Sequence, residues 1–378
     1  MTMLRDKIKA ALIGGAIGDA WGKPVETWSP DRIQKTHQGG VHGYVAPIGH
    51  KWFKVEEHPP GTTTDDTQLH VATMVGLITA KQHGATTWEQ YMDEVAQAHL
   101  QSMRITTAGA GDSTRLAILS LGEGKTWRNS GVSGFNEKGK PLGTGNGVPM
   151  RIGALSAFYS TPVGKKVLGD EFEQACIDFS SMTHATRMSA EASIAHAHAV
   201  AYCLRARVSA ICPADPKDVP FSATTMLNEL CLNVQRYEEN DPPYDTADYR
   251  LDQLQDCEDK MSIVFQKLKD FRYNAGGDAE FIEVARQMFN GSCYLYHSMP
   301  FTYAFFLRYW PSIAAMDQVI NAGGDTDTNG KMVGEMLGAL HGMDIFEHEH
   351  NNWTLDGLVE LKSLTDLAEL FCDTFGVE

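Results

Sequence analysis

Cysteine is sparse in this sequence and never closely paired. Cys176, Cys203, Cys212, Cys231, Cys257, Cys293 and Cys372 are odd in number and form no C-x-x-C pair. That argues against a disulfide framework or a thiolate zinc site and fits a reducing compartment. Basic charge is also short. Lys and Arg total 32 against 48 Asp and Glu, a formal net charge of −16, so no broad surface for a nucleic-acid backbone is expected. A single bound nucleotide is still allowed, because a metal can offset local negative charge. No apolar stretch is long enough to span a membrane. Arg5, Lys7 and Lys9 before Ala10–Ile17 have the charge order of a secretory signal. The run is short, however, and leads into Asp19 without a cleavage site, so the expected location is cytoplasmic. Strand-like alternation is scarce and no fixed-period repeat is present. The expectation is therefore an all-α fold, one domain over residues 1–378, with an insertion-like surface segment at about 207–260.

What the sequence does have is two runs of oxygen-bearing side chains, each opening an apolar helix. The first is Gly61-Thr62-Thr63-Thr64-Asp65-Asp66-Thr67 and the second is Gly323-Gly324-Asp325-Thr326-Asp327-Thr328. Asp and Thr cap helices and favour the positive end of the helix dipole, which is enough to explain one such run alone. Here each start carries surplus acid beside small or apolar neighbours. Burying those carboxylates without a cation is costly, and converging acids shift toward protonation. An all-oxygen donor set with no His or Cys suits a hard divalent cation rather than zinc. The two runs are thus expected to meet in one metal site.

A helix is expected at 3–20, with Gly14, Gly15, Ala16, Gly18 and Ala20 leaving one face nearly bare for close approach of a backbone or ligand. Pro24 ends it, and 27–60 read as a long irregular loop. Further helices are expected after Thr64, at about 87–103, 116–121, 169–182, 187–206, 223–236, 278–289, 299–320 and 354–375. Glycine turns at 109–111 and 143–147 can offer backbone N–H groups to phosphate, although neither is followed by the Gly-Lys-Ser/Thr of a P-loop. Ser113 does not stand in G-x-S-x-G. The His196/His198 and His348/His350 pairs have a spacing that does not put both rings on one helix face, and no role is assigned to them.

Taken in order, several motifs resemble the ADP-ribosylglycohydrolase family. They are Gly14-Gly15-Ala16-Ile17-Gly18-Asp19-Ala20 with Gly22-x-Pro24-x-Glu26, then Thr64-Asp65-Asp66-Thr67, then Gly145-Asn146-Gly147 with Met150-Arg151. Thr183-His184 and Gly323–Thr328 complete the set. The resemblance implies an all-α orthogonal helical bundle with a binuclear Mg²⁺ centre, in which Mn²⁺ can serve. It implies Thr64, Asp65, Asp66, Asp325, Asp327 and Thr328 as metal ligands, with Asp327 bridging, and Glu26, Asp66 and Asp327 as the catalytic acids. Substrate would be held by Gly143, Thr144, Gly145, Asn146 and Gly147, with Met150 and His184. The implied reaction releases ADP-ribose from a modified acceptor, ADP-ribosyl-arginine in protein being favoured, by a monomeric enzyme. Serine-linked ADP-ribose, O-acetyl-ADP-ribose and an ADP-ribosylated nucleobase are alternative substrates. A nucleotide phosphohydrolase, or a non-catalytic ADP-ribose-binding or toxin-immunity protein, are the rival readings.

Overall fold

The bare face of the first helix finds its partner near the other end of the chain. The computed structural model describes residues 3–105, 109–164, 171–208, 219–239, 260–271, 276–348 and 353–378. In chain order its helices begin with α1 (Leu4–Gly22), α2 (Pro30–Thr36), α3 (Asp65–Gln82), α4 (Trp88–Ile105), α5 (Asp112–Gly122) and α6 (Trp127–Ser130). Next come α7 (Pro149–Ser160), α8 (Phe172–Ser181), α9 (Arg187–Arg205), α10 (Ala223–Glu239), α11 (Met261–Asp270) and α12 (Asp278–Phe289). The last are α13 (Leu295–Tyr309), α14 (Ala314–Asn321), α15 (Thr326–His341), α16 (Asp344–His348), α17 (Trp353–Asp356) and α18 (Leu361–Phe375). Strand among the described residues is confined to a parallel pairing of Ala206–Arg207 with Val219–Pro220, and three isolated bridges. The fold is all-α.

Its spine is the antiparallel pair α1 and α15. Ala10, Gly14, Gly18 and Gly22 recur every fourth residue on α1, and Gly330, Gly334 and Gly338 do so on α15. A Cβ at Gly14 would lie 2.3 Å from the Gly334 carbonyl oxygen, and one at Gly18 would lie 2.1 Å from that of Gly330. At Gly22 the corresponding distance to the Thr326 carbonyl is 2.2 Å. Each glycine weakens a helix by roughly 0.5–1 kcal/mol relative to alanine. Here that loss permits the two backbones to touch, and it brings the C-terminal end of α1 onto the N-terminal end of α15.

The other helices wrap this pair. α3 lies against α4 and α7, and α9 packs on α7, α8, α10 and α15, while α18 covers α1 and α3. Within the segment set apart as insertion-like, α10 buries Met226, Leu227, Leu230, Cys231, Val234 and Tyr237. Residues 209–218 and 240–259, including the acidic, turn-rich run from Asn240 to Asp245, lie outside the described residues. The stretch 27–60, expected as a long irregular loop, holds the short helix α2, and two later boundaries move. The helix expected at 299–320 is two, α13 and α14, because Trp310 and Pro311 interrupt it. The helix expected to begin at 354 begins at Leu361 instead, preceded by the short α17.

Candidate active site

Three local devices bring the two acidic runs to one place. First, the Thr326 hydroxyl donates to the Gly22 carbonyl at 2.8 Å, tying the start of α15 to the end of α1. Second, the strand-like exchange of Thr27 N–H with the Gly324 carbonyl (2.7 Å) and of Gly324 N–H with the Trp28 carbonyl (3.1 Å) clamps the Glu26 loop onto the Gly323-Gly324 turn. Third, the buried Asp19 carboxylate accepts the Thr64 N–H at 3.0 Å, the Thr67 N–H at 3.1 Å and the Thr67 hydroxyl at 2.6 Å. An acid near a helix C-terminus opposes that helix's own dipole. Asp19 is stabilised because it caps a different helix, α3, and so docks the first acidic run against α1. Replacing it with Ala leaves the N–H groups of Thr64, which caps α3, and of Thr67, in its first turn, without a partner. Asp19→Ala is expected to lose about 3 kcal/mol in urea unfolding, with Asp19→Asn, which keeps an acceptor oxygen, losing clearly less.

The outcome is a pit of carboxylates. One oxygen each from Glu26, Asp325 and Asp327 lie within 4.8 Å of one another. Asp66 is buried beside them, with Oδ2 accepting from the Thr64 hydroxyl at 3.2 Å and Oδ1 meeting no hydrogen-bond partner. Burial pushes Glu26 up to about 9, with Asp325, Asp65 and Asp19 adding repulsion. Burial likewise raises Asp65 to about 8. Asp66 and Asp327 are raised well above the usual carboxylate range, by burial and by their neighbouring acids. Asp325 is raised by burial, against hydrogen bonds from Asn146, Asp327 and Thr328. A crowd of buried carboxylates pushed toward protonation by burial and by one another, with Asp66 Oδ1 unpartnered among the described residues, is a donor set suited to a divalent cation.

The structure places the other expected residues around this pit. Thr64 caps α3 and Thr328 lies buried on the first turn of α15. Asp65 points aside. Its Oδ1 lies 2.2 Å from where a Cβ on Gly109 would stand, so the 109–111 turn closes over it. Asn146 donates to Asp325 Oδ2 at 2.7 Å and to the Ser298 hydroxyl at 3.0 Å. Ser298 in turn donates to Asn329 Oδ1, which locks the 143–147 turn to α13 and α15. Within that turn, the Gly143 N–H is taken by Ser113 Oγ and the Asn146 N–H by the Cys293 carbonyl. The N–H groups of Thr144, Gly145 and Gly147 have no such partner among the described residues, and the N-terminus of α7 lies next to them. Met150 is buried on the first turn of α7, and His184 lies against Gly147.

The family model for ADP-ribosylglycohydrolase matches residues 1–377. The chain belongs to the ADP-ribosylglycohydrolase family. A solved structure described as an ADP-ribosylglycohydrolase-related protein complex has the same fold, with a TM-score of 0.57 over 99% of each chain at 19% identity. No match was found among curated proteins. As a family member the protein is a hydrolase of ADP-ribosyl bonds, in a family that is typically metal-dependent, and Glu26, Asp325 and Asp327 form an acidic group able to hold a metal ion.

Two residues matter to this site that sequence reasoning gave no role, Asp19 and Arg151. Both carried a signal. Asp19 is an acid at the wrong end of an apolar helix, and Arg151 is a lone cation inside the apolar run Met150–Leu155.

Proposed function

We propose that the protein removes ADP-ribose from ADP-ribosyl-arginine in proteins, as a Mg²⁺-dependent monomer in the cytoplasm, with Mn²⁺ able to substitute. The observation that carries this reading is the convergence of Glu26, Asp325 and Asp327 beside a glycine turn whose Thr144, Gly145 and Gly147 N–H groups have no partner among the described residues. No described helix is long and apolar enough to cross a membrane, which is compatible with that location.

In this reading Thr64, Asp65, Asp66, Asp325, Asp327 and Thr328 would hold two divalent cations. Bound there, they would supply Lewis-acid polarisation and neutralise the crowded carboxylates. The chain's own groups do the rest. The Thr144, Gly145 and Gly147 N–H groups receive diphosphate oxygens, while Gly143 and Asn146 hold the turn open through their internal bonds. Met150 and His184 wall the ADP-ribose on the α7 side. Glu26 takes a proton from the attacking water, whose oxygen bonds to ribose C1″. The C1″–N bond breaks, its electrons stay with the guanidine nitrogen, and that nitrogen receives the proton as arginine is restored. Positive charge that builds on the ribose is favoured by the nearby carboxylates of Asp66 and Asp327.

The acceptor is tested by competition between arginine-linked and serine-linked ADP-ribosyl peptides at equal concentration in one reaction. The expected result is faster loss of the arginine-linked peptide. Faster loss of the serine-linked peptide would overturn the acceptor assignment and leave the hydrolase intact.

A further inference from the structure

His184 can act on a ligand in two opposite ways, as a donor or as an acceptor, and the hydrogen bonds behind it decide which. Arg151 is completely buried on α7, with its guanidinium 5.5 Å from the Phe179 ring centroid. Its Nη2 donates to the hydroxyl oxygen of Thr183. A guanidinium only donates, so Thr183 Oγ1 must accept there. The one other side-chain hydrogen bond of that hydroxyl among the described residues is to His184 Nδ1, at 2.9 Å. With Thr183 buried, its hydroxyl hydrogen has no acceptor among the described residues except Nδ1. Leaving it unpaired would be costly. Nδ1 is therefore the acceptor, and the ring proton sits on Nε2.

That nitrogen faces the glycine turn. A Cβ built on Gly147 would stand 3.2 Å from His184 Nε2 and 3.0 Å from Cε1. No protein group accepts from Nε2 among the described residues. Burial and the Arg151 charge push His184 down to about 3, so the ring stays neutral and keeps its single proton at physiological pH. Arg151 itself stays charged at neutral pH. Burial lowers it only to about 10, and Asp65 and Asp66 act to raise it.

We propose that Arg151 is a positioning residue that acts through Thr183 to fix His184 as the Nε2–H tautomer, a permanent hydrogen-bond donor aimed at a ligand oxygen in the Gly143–Gly147 turn. The relay follows from the protein alone, and the ligand oxygen rests on the proposed ADP-ribose reading. An acceptor-type His184 would repel the same oxygen, so the relay sets the sign of this contact.

The test is a long-range ¹H–¹⁵N correlation spectrum of the histidine rings in the full-length protein, with His184 identified by its loss in His184→Gln. Wild type and Thr183→Ser are expected to give a protonated Nε2 and a bare Nδ1. Thr183→Val, nearly the same shape without the hydroxyl, is expected to give a mixed or reversed pattern. By calorimetry it should bind ADP-ribose about tenfold more weakly, with Thr183→Ser close to wild type. A protonated Nδ1 in wild type, or an unchanged pattern in Thr183→Val, would overturn the relay. If the tautomers come out as expected but wild type does not bind ADP-ribose, the relay stands and the ligand assignment fails.

Discussion

Asp327→Asn is expected to abolish turnover, by about 10³-fold or more, while leaving a folded protein that is no less stable than wild type in the absence of cation. The second half is the less intuitive part. Burial and the acids Glu26, Asp325, Asp66 and Asp19 hold Asp327 far above the ordinary carboxylate range. In the cation-free protein its side chain is therefore biased toward the neutral acid, which an amide imitates in shape and charge. With divalent cation the two proteins should part. Wild type gains stability by mass action, about 2.7 kcal/mol at a hundredfold excess over the dissociation constant, and the variant should gain much less. The pH dependence has a definite sign. A carboxylate with a raised folded pKa binds more protons folded than unfolded, so its contribution falls as pH rises from the unfolded value to the folded one. With Asp65 near 8 and Glu26 near 9, cation-free wild type should lose stability steadily from about pH 4 to about pH 9. Added cation should restore it most at the alkaline end, since protons and cation compete for the same oxygens. Thermal unfolding across pH, with and without chelator, reads all of this. A cation-independent transition in wild type would contradict it.

Gly18→Val is expected to prevent folding at physiological temperature. The Cβ would stand 2.1 Å from the Gly330 carbonyl oxygen, 2.3 Å from its carbon and 2.7 Å from the Lys331 nitrogen. All three are backbone atoms at the centre of the fold, so no rotamer change relieves the clash, and α1 must move off α15. Overpacking typically costs 1–3 kcal/mol when side chains can adjust. Here the cost should exceed about 3 kcal/mol, a large part of the 5–15 kcal/mol that holds an ordinary domain together. Separation of the helices would also part Glu26 from Asp325 and Asp327, so any folded fraction should be inactive. Gly122→Ala is the control. That Cβ meets only Leu100 Cδ1, at 3.5 Å, and the exposed end of α5 should gain a few tenths of a kcal/mol. Soluble yield and urea midpoints of the two variants, measured side by side, separate backbone contact from a general intolerance of glycine replacement.

Much of this was legible in the sequence, and the limits have physical causes. The two Asp/Thr runs stand out because a helix needs one cap and each of these carries more acid than that. The small residues on α1 announced a close neighbour but not which one. Only the matching four-residue spacing of Gly330, Gly334 and Gly338 identifies α15, and spacing says nothing of contact until the chain is folded. Pro311 split an expected single helix because apolar periodicity runs unbroken through 299–320 while the backbone cannot. Asp19 and Arg151 escaped a role for a shared reason. Each acts on a group distant in sequence, Asp19 on the N–H groups of α3 and Arg151 on Thr183, and hydrogen-bond direction exists only in three dimensions. The 143–147 stretch was legible as a glycine turn able to offer N–H groups, but not that Ser113 and Cys293 already occupy two of them.

The most direct test of the central claim is the mass of the product released from arginine-ADP-ribosylated protein in ¹⁸O-water, with Mg²⁺ and with chelator. The account predicts ADP-ribose carrying one ¹⁸O on ribose C1″, unmodified arginine on the protein, and no release when the cation is removed. Release of AMP with ¹⁸O on phosphorus, or undiminished release in chelator, would contradict it.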